Sequence, residues 1–102
     1  MSEYVSIKME VLQKLEAKMP EIRDRFGIET LSLFGSVARG EDTPASDIDI
    51  LYTFAPGKST LSNLIQLGDY LESLFHKKVD LVGRDWISPY FSETVLSEAI
   101  AI

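Results

Sequence analysis

Leu33-Phe34-Gly35-Ser36-Val37-Ala38-Arg39-Gly40-Glu41-Asp42-Thr43-Pro44-Ala45-Ser46-Asp47-Ile48-Asp49-Ile50-Leu51 is the stretch on which the reading of this chain turns. It opens at the end of an alternating run rich in strand formers, Thr30 to Phe34, which halts at Gly35. It closes in a second run, Asp47 to Phe54, rich in isoleucine and leucine but with aspartates at alternate positions. Side chains two apart on a strand point to the same face, so Asp47 and Asp49 converge within roughly 6–7 Å. Two carboxylates that close repel unless a cation or a proton lies between them. Aspartate is also a poor strand residue, so placing two inside an apolar strand gives up stability. Oxygen ligands in this arrangement suit a hard cation, and Mg²⁺ is usually held by one or two carboxylates together with substrate phosphates.

Gly35-Ser36 directly follows the first strand, where the chain must turn and expose backbone N–H groups. A glycine lets a phosphate approach the backbone, and the Ser36 hydroxyl can donate to it. Arg39, three residues on, can reach the same anion and offset the acidic neighbours. A third aspartate, Asp80, lies in the apolar run Val79-Asp80-Leu81-Val82. If that strand lies beside Asp47 to Phe54, the three acids share one face and can hold two metal ions. Phosphate donors and metal-binding acids on one strand–turn–strand unit describe a nucleoside triphosphate site. A P-loop does not fit, because Glu41 and Asp42 stand where lysine and serine or threonine are required. A calcium loop starting at Asp47 fails at Leu51, Tyr52 and Lys58. A glycosidase carboxylate pair stays open on geometry alone, although nothing else in the chain suggests a sugar cleft.

Outward from this unit, Ile7, Val11, Leu12, Leu15 and Met19 recur at the spacing of an amphipathic helix. Pro20 is expected to end it and begin a second short helix, Glu21 to Phe26, closed by Gly27. After the turn Ala55 to Lys58, Ser59 or Thr60 caps a helix running to about Phe75. Lys78 to Val82 reads as a third strand ended by Gly83, and Ser88-Pro89 opens a last helix continuing to the chain's end. The order predicts a small α/β (α+β) fold: a mixed sheet of three or so strands with helices packed mainly on one face. It forms a single domain over residues 1–102, with N-terminal helices (1–28), the strand–turn–strand unit (30–54), and a helix, third strand and C-terminal helix (59–102). Trp86, Tyr90, Phe91 and the leucines of the long helix are expected in the core, with any exposed subset available as a partner interface. Glu41 and Asp42 are expected as solvated loop charges, Lys77 and Lys78 as balancing a helix C-terminus, and His76 as a surface residue near that helix end.

With 102 residues the chain suits one core. Having 45% apolar and 25% charged residues, it has the balance of a folded globule rather than a disordered tail. The absence of cysteine excludes a disulfide scaffold, a thiolate metal site and a cysteine nucleophile, and a single histidine excludes a multi-histidine zinc site. No stretch is long and apolar enough to span a bilayer, and Met1 to Lys8 lacks a signal-peptide pattern, so the expectation is a cytoplasmic protein with no membrane association. A net charge of −6 disfavours direct nucleic-acid binding. Any handling of phosphates by so acidic a chain requires a metal ion.

Gly35-Ser36, Arg39-Gly40 and Ser46-Asp47-Ile48-Asp49-Ile50-Leu51 together resemble the signature of the minimal nucleotidyltransferases (MNT) of the DNA polymerase β-like superfamily. The resemblance extends over nearly the whole chain, through Lys78-Val79-Asp80-Leu81-Val82 to Glu98-Ala99-Ile100. It implies transfer of AMP from ATP to a hydroxyl with release of pyrophosphate. Asp47, Asp49 and Asp80 would be the catalytic and metal-binding acids for two Mg²⁺ ions, and Gly35, Ser36, Arg39 and Ser46 would bind the nucleotide. Val37 stands where many relatives carry arginine, which weakens the expected phosphate grip. Minimal members resemble the antitoxin half of HEPN–MNT toxin–antitoxin pairs, which implies a HEPN ribonuclease as partner and acceptor. The alternatives are a non-catalytic antitoxin that masks its partner, or transfer to a small molecule.

Overall fold

Residues 3–102 are described by the computed structural model. Helix α1 spans Lys8–Phe26 and buries one stripe, Val11, Leu15, Met19, Ile22 and Phe26. It is one helix, not the two expected on either side of Pro20. Pro20 lies on the exposed side, so the missing N–H and the ring's crowding of the preceding turn fall away from the core. The apolar stripe continues in phase through it, and packing of that stripe outweighs a local cost of about 3 kcal/mol. Gly27 ends α1 with φ +66°, its N–H bonded to the Arg23 carbonyl, as the sequence predicts.

Strand β1 (Ile28–Phe34) runs directly into the short helix α2 (Gly35–Arg39), and a loop returns the chain as β2 (Ile48–Phe54), antiparallel to β1. Helix α3 (Leu61–Phe75) is capped by the Thr60 side chain, which accepts from the Asn63 N–H at 3.0 Å, and crosses over to β3 (Val79–Gly83), parallel to β2. His76, exposed, closes α3 in the left-handed conformation at φ +52°. A 3₁₀ turn (Arg84–Trp86) leads to α4 (Pro89–Glu98) and then to β4 (Ile100–Ala101), giving the sheet order β3-β2-β1-β4.

Strand β4 replaces the helical C-terminus expected from the sequence. It pairs antiparallel with β1 through Leu33↔Ile100 and Ser32↔Ala101, and the Ile102 N–H donates to the Leu31 carbonyl at 3.0 Å. Pairing satisfies β1's second edge, and Ile100 and Ile102 pack against the core while Ala101 faces out.

Alternation along the strands divides the sheet into two unlike faces. Leu31, Leu33, Ile48 and Ile50 point to α1 and α3 and form the core with Leu67 and Leu71. The opposite face carries Thr30, Ser32 and Phe34 of β1, Asp49, Leu51 and Thr53 of β2, and Asp80 and Val82 of β3. The Thr30 and Thr53 hydroxyls, 2.6 Å apart, mark that face. Trp86, Tyr90 and Phe91 do not enter the core, being 86%, 92% and 65% exposed, and Leu61 and Ile65 of α3 are exposed as well. Helices α1 and α3 cover the apolar face of the sheet, and none of the residues of α4 is buried.

Candidate active site

The parallel register of β2 and β3 sets Asp49 directly opposite Asp80. Both side chains emerge on the face away from α1 and α3, next to Phe34 at the end of β1. Asp47 immediately precedes β2, two residues before Asp49. Lys78 bridges the acids, its Nζ 3.9 Å from Asp47 Oδ2 and 3.7 Å from Asp80 Oδ1. It is thus a counter-charge to the cluster and not, as expected, to the helix end, while Lys77 donates to the Pro44 carbonyl at 2.9 Å. The Asp49 carboxyl is raised above the ordinary aspartate range, first by burial and then by the charges of Asp80 and Asp47, with Arg39 opposing.

An excess of like charge around Asp49 is the condition that a hard cation relieves, and the donor set is all oxygen. The residues therefore fit Mg²⁺ chemically. As the side chains stand, no group of three acids among the described residues closes around one point. Asp49 and Asp80 are adjacent, and Asp47 is joined to them through Lys78.

Gly35 adopts φ +77°, and a Cβ there would run into the Asp49 carboxylate. The glycine is needed twice, for its backbone conformation and for the close approach of the bend to the acid. Its N–H donates to Glu98 Oε1 at 3.2 Å. Arg39 donates through Nε to Glu41 at 2.7 Å and through Nη1 to both Glu98 oxygens at 3.1 and 3.0 Å. Those hydrogen bonds, to Glu41 first and then to Glu98, hold the guanidinium above its usual range. Ser36 follows Gly35 in the bend, its carbonyl accepting from the Glu41 N–H at 2.9 Å. Ser46 instead belongs to the loop, its Oγ accepting from the Thr43 N–H at 2.9 Å. The fold thus gathers Gly35, Ser36, Arg39, Asp49 and Asp80 with Asp47 at the margin, while Ser46 shapes the approach to β2. A separate groove lined by Tyr52, Phe54, Gly83, Arg84 and Trp86 lies at the other end of the strands and contains none of these acids.

Against known proteins, residues 15–102 match the nucleotidyltransferase domain family. The chain belongs to that family. This nucleotidyltransferase is 39% identical over 93 residues to the protein adenylyltransferase MntA of Thermococcus cleftensis, covering 91% of this chain and 93% of the relative. A solved structure described as a minimal nucleotidyltransferase superposes with a TM-score of 0.77 at 36% identity, over 91% of this chain and 94% of that one. A toxin–antitoxin complex solved with AMP-PNP superposes with a TM-score of 0.67 at 25% identity, over 84% and 70%.

Two residues of the nucleotidyltransferase escape a sequence reading. Glu98 reaches the Gly35–Arg39 bend from the far end of the chain, a contact across 63 residues with no local signal. Asp42, expected in solvent, is buried at 6% exposure. It accepts from the Tyr4 hydroxyl at 2.7 Å, the Ile7 N–H at 3.1 Å and the Ser6 hydroxyl. Burial alone would raise its carboxyl, but the bonds from Ser6, Tyr4 and the Ile7 amide outweigh it and hold it below the usual range. Asp42 thus fastens the loop after α2 to the start of α1.

Proposed function

We propose that this nucleotidyltransferase transfers AMP from ATP to a hydroxyl of a partner protein, with Mg²⁺ held by Asp47, Asp49 and Asp80. The partner is a HEPN-type ribonuclease toxin, which the chain neutralises as its antitoxin. The observation that carries this reading is the close approach of the Gly35 bend to Asp49, with Asp80 beside it in register. That closeness supports a reading in which phosphate donors and cation ligands act on one substrate. The match to an adenylyltransferase along most of both chains supports the chemistry, and the likeness to a toxin–antitoxin complex supports the setting.

A bound divalent cation supplies charge neutralisation of the phosphates. The Gly35 N–H, the Ser36 hydroxyl and Arg39 bind the triphosphate tail and orient it in line with the acceptor. Asp80 takes the proton of the acceptor hydroxyl as its oxygen bonds the α-phosphorus. The bond from that phosphorus to the bridging oxygen breaks, and pyrophosphate leaves with the electron pair. The Asp47 and Asp80 side chains are 39% and 43% exposed, which leaves room for an acceptor presented by another protein.

Exposed Trp86, Tyr90 and Phe91 favour a second reading, in which binding alone silences the partner. Incubation with labelled ATP, Mg²⁺ and the partner separates the two. Transfer predicts a labelled partner and loss of both label and neutralisation in the Asp47→Ala, Asp49→Ala double variant. Neutralisation that survives the double change supports masking instead.

A further inference from the structure

The donors assigned to the triphosphate already hold an anion. The Glu98 carboxylate, from the last turn of α4, accepts from the Gly35 N–H at 3.2 Å and from Arg39 Nη1 at 3.1 and 3.0 Å. Its side chain is 22% exposed, the more enclosed member of the pair with Arg39 at 45%. Glu98 is not needed to neutralise Arg39, which has Glu41 at 2.7 Å two residues away. Nor is it fixed by its own helix, since none of the described residues of α4 is buried and the segment is otherwise anchored by the two-residue strand β4. The side chain therefore sits where a phosphate would sit, on a segment that is lightly held.

We propose that Glu98 is an intramolecular occupant of the phosphate cradle, which a nucleoside triphosphate must displace to bind, so that binding frees α4 from the Gly35–Arg39 bend. The inference rests on the nucleotide-binding reading above. A carboxylate and a phosphate oxygen present the same charge-assisted acceptor to an amide and a guanidinium, so one excludes the other. The fraction of molecules with the cradle filled by Glu98 lowers apparent affinity in proportion, and removing the occupant restores it. Because α4 carries exposed Tyr90 and Phe91, the same displacement changes the surface offered to a partner.

The test is calorimetric titration of the full chain and of Glu98→Gln with Mg²⁺ and, separately, ATP, tripolyphosphate and adenosine. Glutamine keeps the shape and removes the charge. The expected result is a gain of about fivefold or more for ATP and tripolyphosphate, with adenosine unchanged. Equal or weaker ATP binding by Glu98→Gln, beside measurable binding by the unaltered chain, overturns the inference and leaves the proposed function standing. If neither chain binds ATP, the proposed function falls and the inference with it. Hydrogen exchange on the unaltered chain gives a reading that does not depend on a variant's folding. ATP with Mg²⁺ should speed exchange of the α4 amides, whereas slowed or unchanged exchange marks Glu98 as a support for Arg39 and overturns the proposal.

Discussion

Gly35→Ala separates backbone strain from site geometry, because the chain supplies its own control. Gly35 and Gly57 both adopt φ +77°. A Cβ on Gly57 meets nothing within 4 Å, whereas one on Gly35 runs into the Asp49 carboxylate. Alanine in the left-handed region costs about 1–2 kcal/mol at either position. For a chain of this size that lowers the thermal midpoint by about 4–8 °C per kcal/mol. At Gly57 the loss should end there, with adenylyl transfer intact at permissive temperature. At Gly35 the added methyl must also push Asp49 or the bend aside, and a displacement of about 1 Å in such a site can lower rate by about 10²-fold. The assay pairs thermal unfolding with transfer of labelled AMP to the partner, well below both midpoints. Gly35→Ala with the transfer rate of Gly57→Ala would refute the claim that the glycine sets the distance between phosphate donors and acids.

Asp42→Ala strips an acceptor from the Tyr4 and Ser6 hydroxyls and the Ile7 amide and should destabilise the fold by about 1–3 kcal/mol, measured by urea unfolding. Because the folded chain holds that carboxyl below its ordinary range, the unfolded chain binds the extra proton first as pH falls. The contribution is therefore full above the ordinary carboxylate range and is lost on acidification through it, a pH dependence that Asp42→Ala should flatten. Lys78→Ala removes the ammonium bridging Asp47 and Asp80 and should lower the Mg²⁺ concentration needed for half-maximal ATP binding, whereas a higher requirement would mean that Lys78 assists the nucleotide directly. Trp86→Ser with Tyr90→Ser should leave the urea unfolding curve in place, since both side chains are exposed. The same pair should weaken partner binding by about tenfold or more by surface plasmon resonance if these aromatics anchor the interface.

What the sequence makes legible here is what short-range pattern encodes. The alternation of Thr30 to Phe34, the break at Gly35 and the aspartates two apart before Leu51 lie within one strand–turn–strand unit, so pairing and a shared face follow from strand geometry. The placement of Asp80 beside Asp49 needs the crossover through α3, which the order of elements implies. What is not legible depends on contacts made at a distance. Pro20 reads locally as a break, yet the stripe from Val11 to Phe26 carries the helix through it. Ile100 and Ile102 hold a strand's alternation over three residues, too few to stand against a helical run. The aromatics of α4 read as core because periodicity reports an apolar side but not whether any apolar surface remains to receive it. Asp42 and Glu98 look like loop and helix charges, and only the folded chain brings them to Ile7 and Gly35.

In the proposed mechanism Asp49 and Asp80, with Asp47, hold a divalent cation against phosphates bound at the Gly35 bend. Paramagnetic broadening tests it directly: Mn²⁺ is added with AMP-PNP to the isotopically labelled chain and the amide signals are followed. The Gly35, Ser36, Asp49 and Asp80 signals should be lost first, with the groove at Tyr52 and Trp86 spared. Broadening centred on that groove, or spread evenly over the acidic surface, would contradict it.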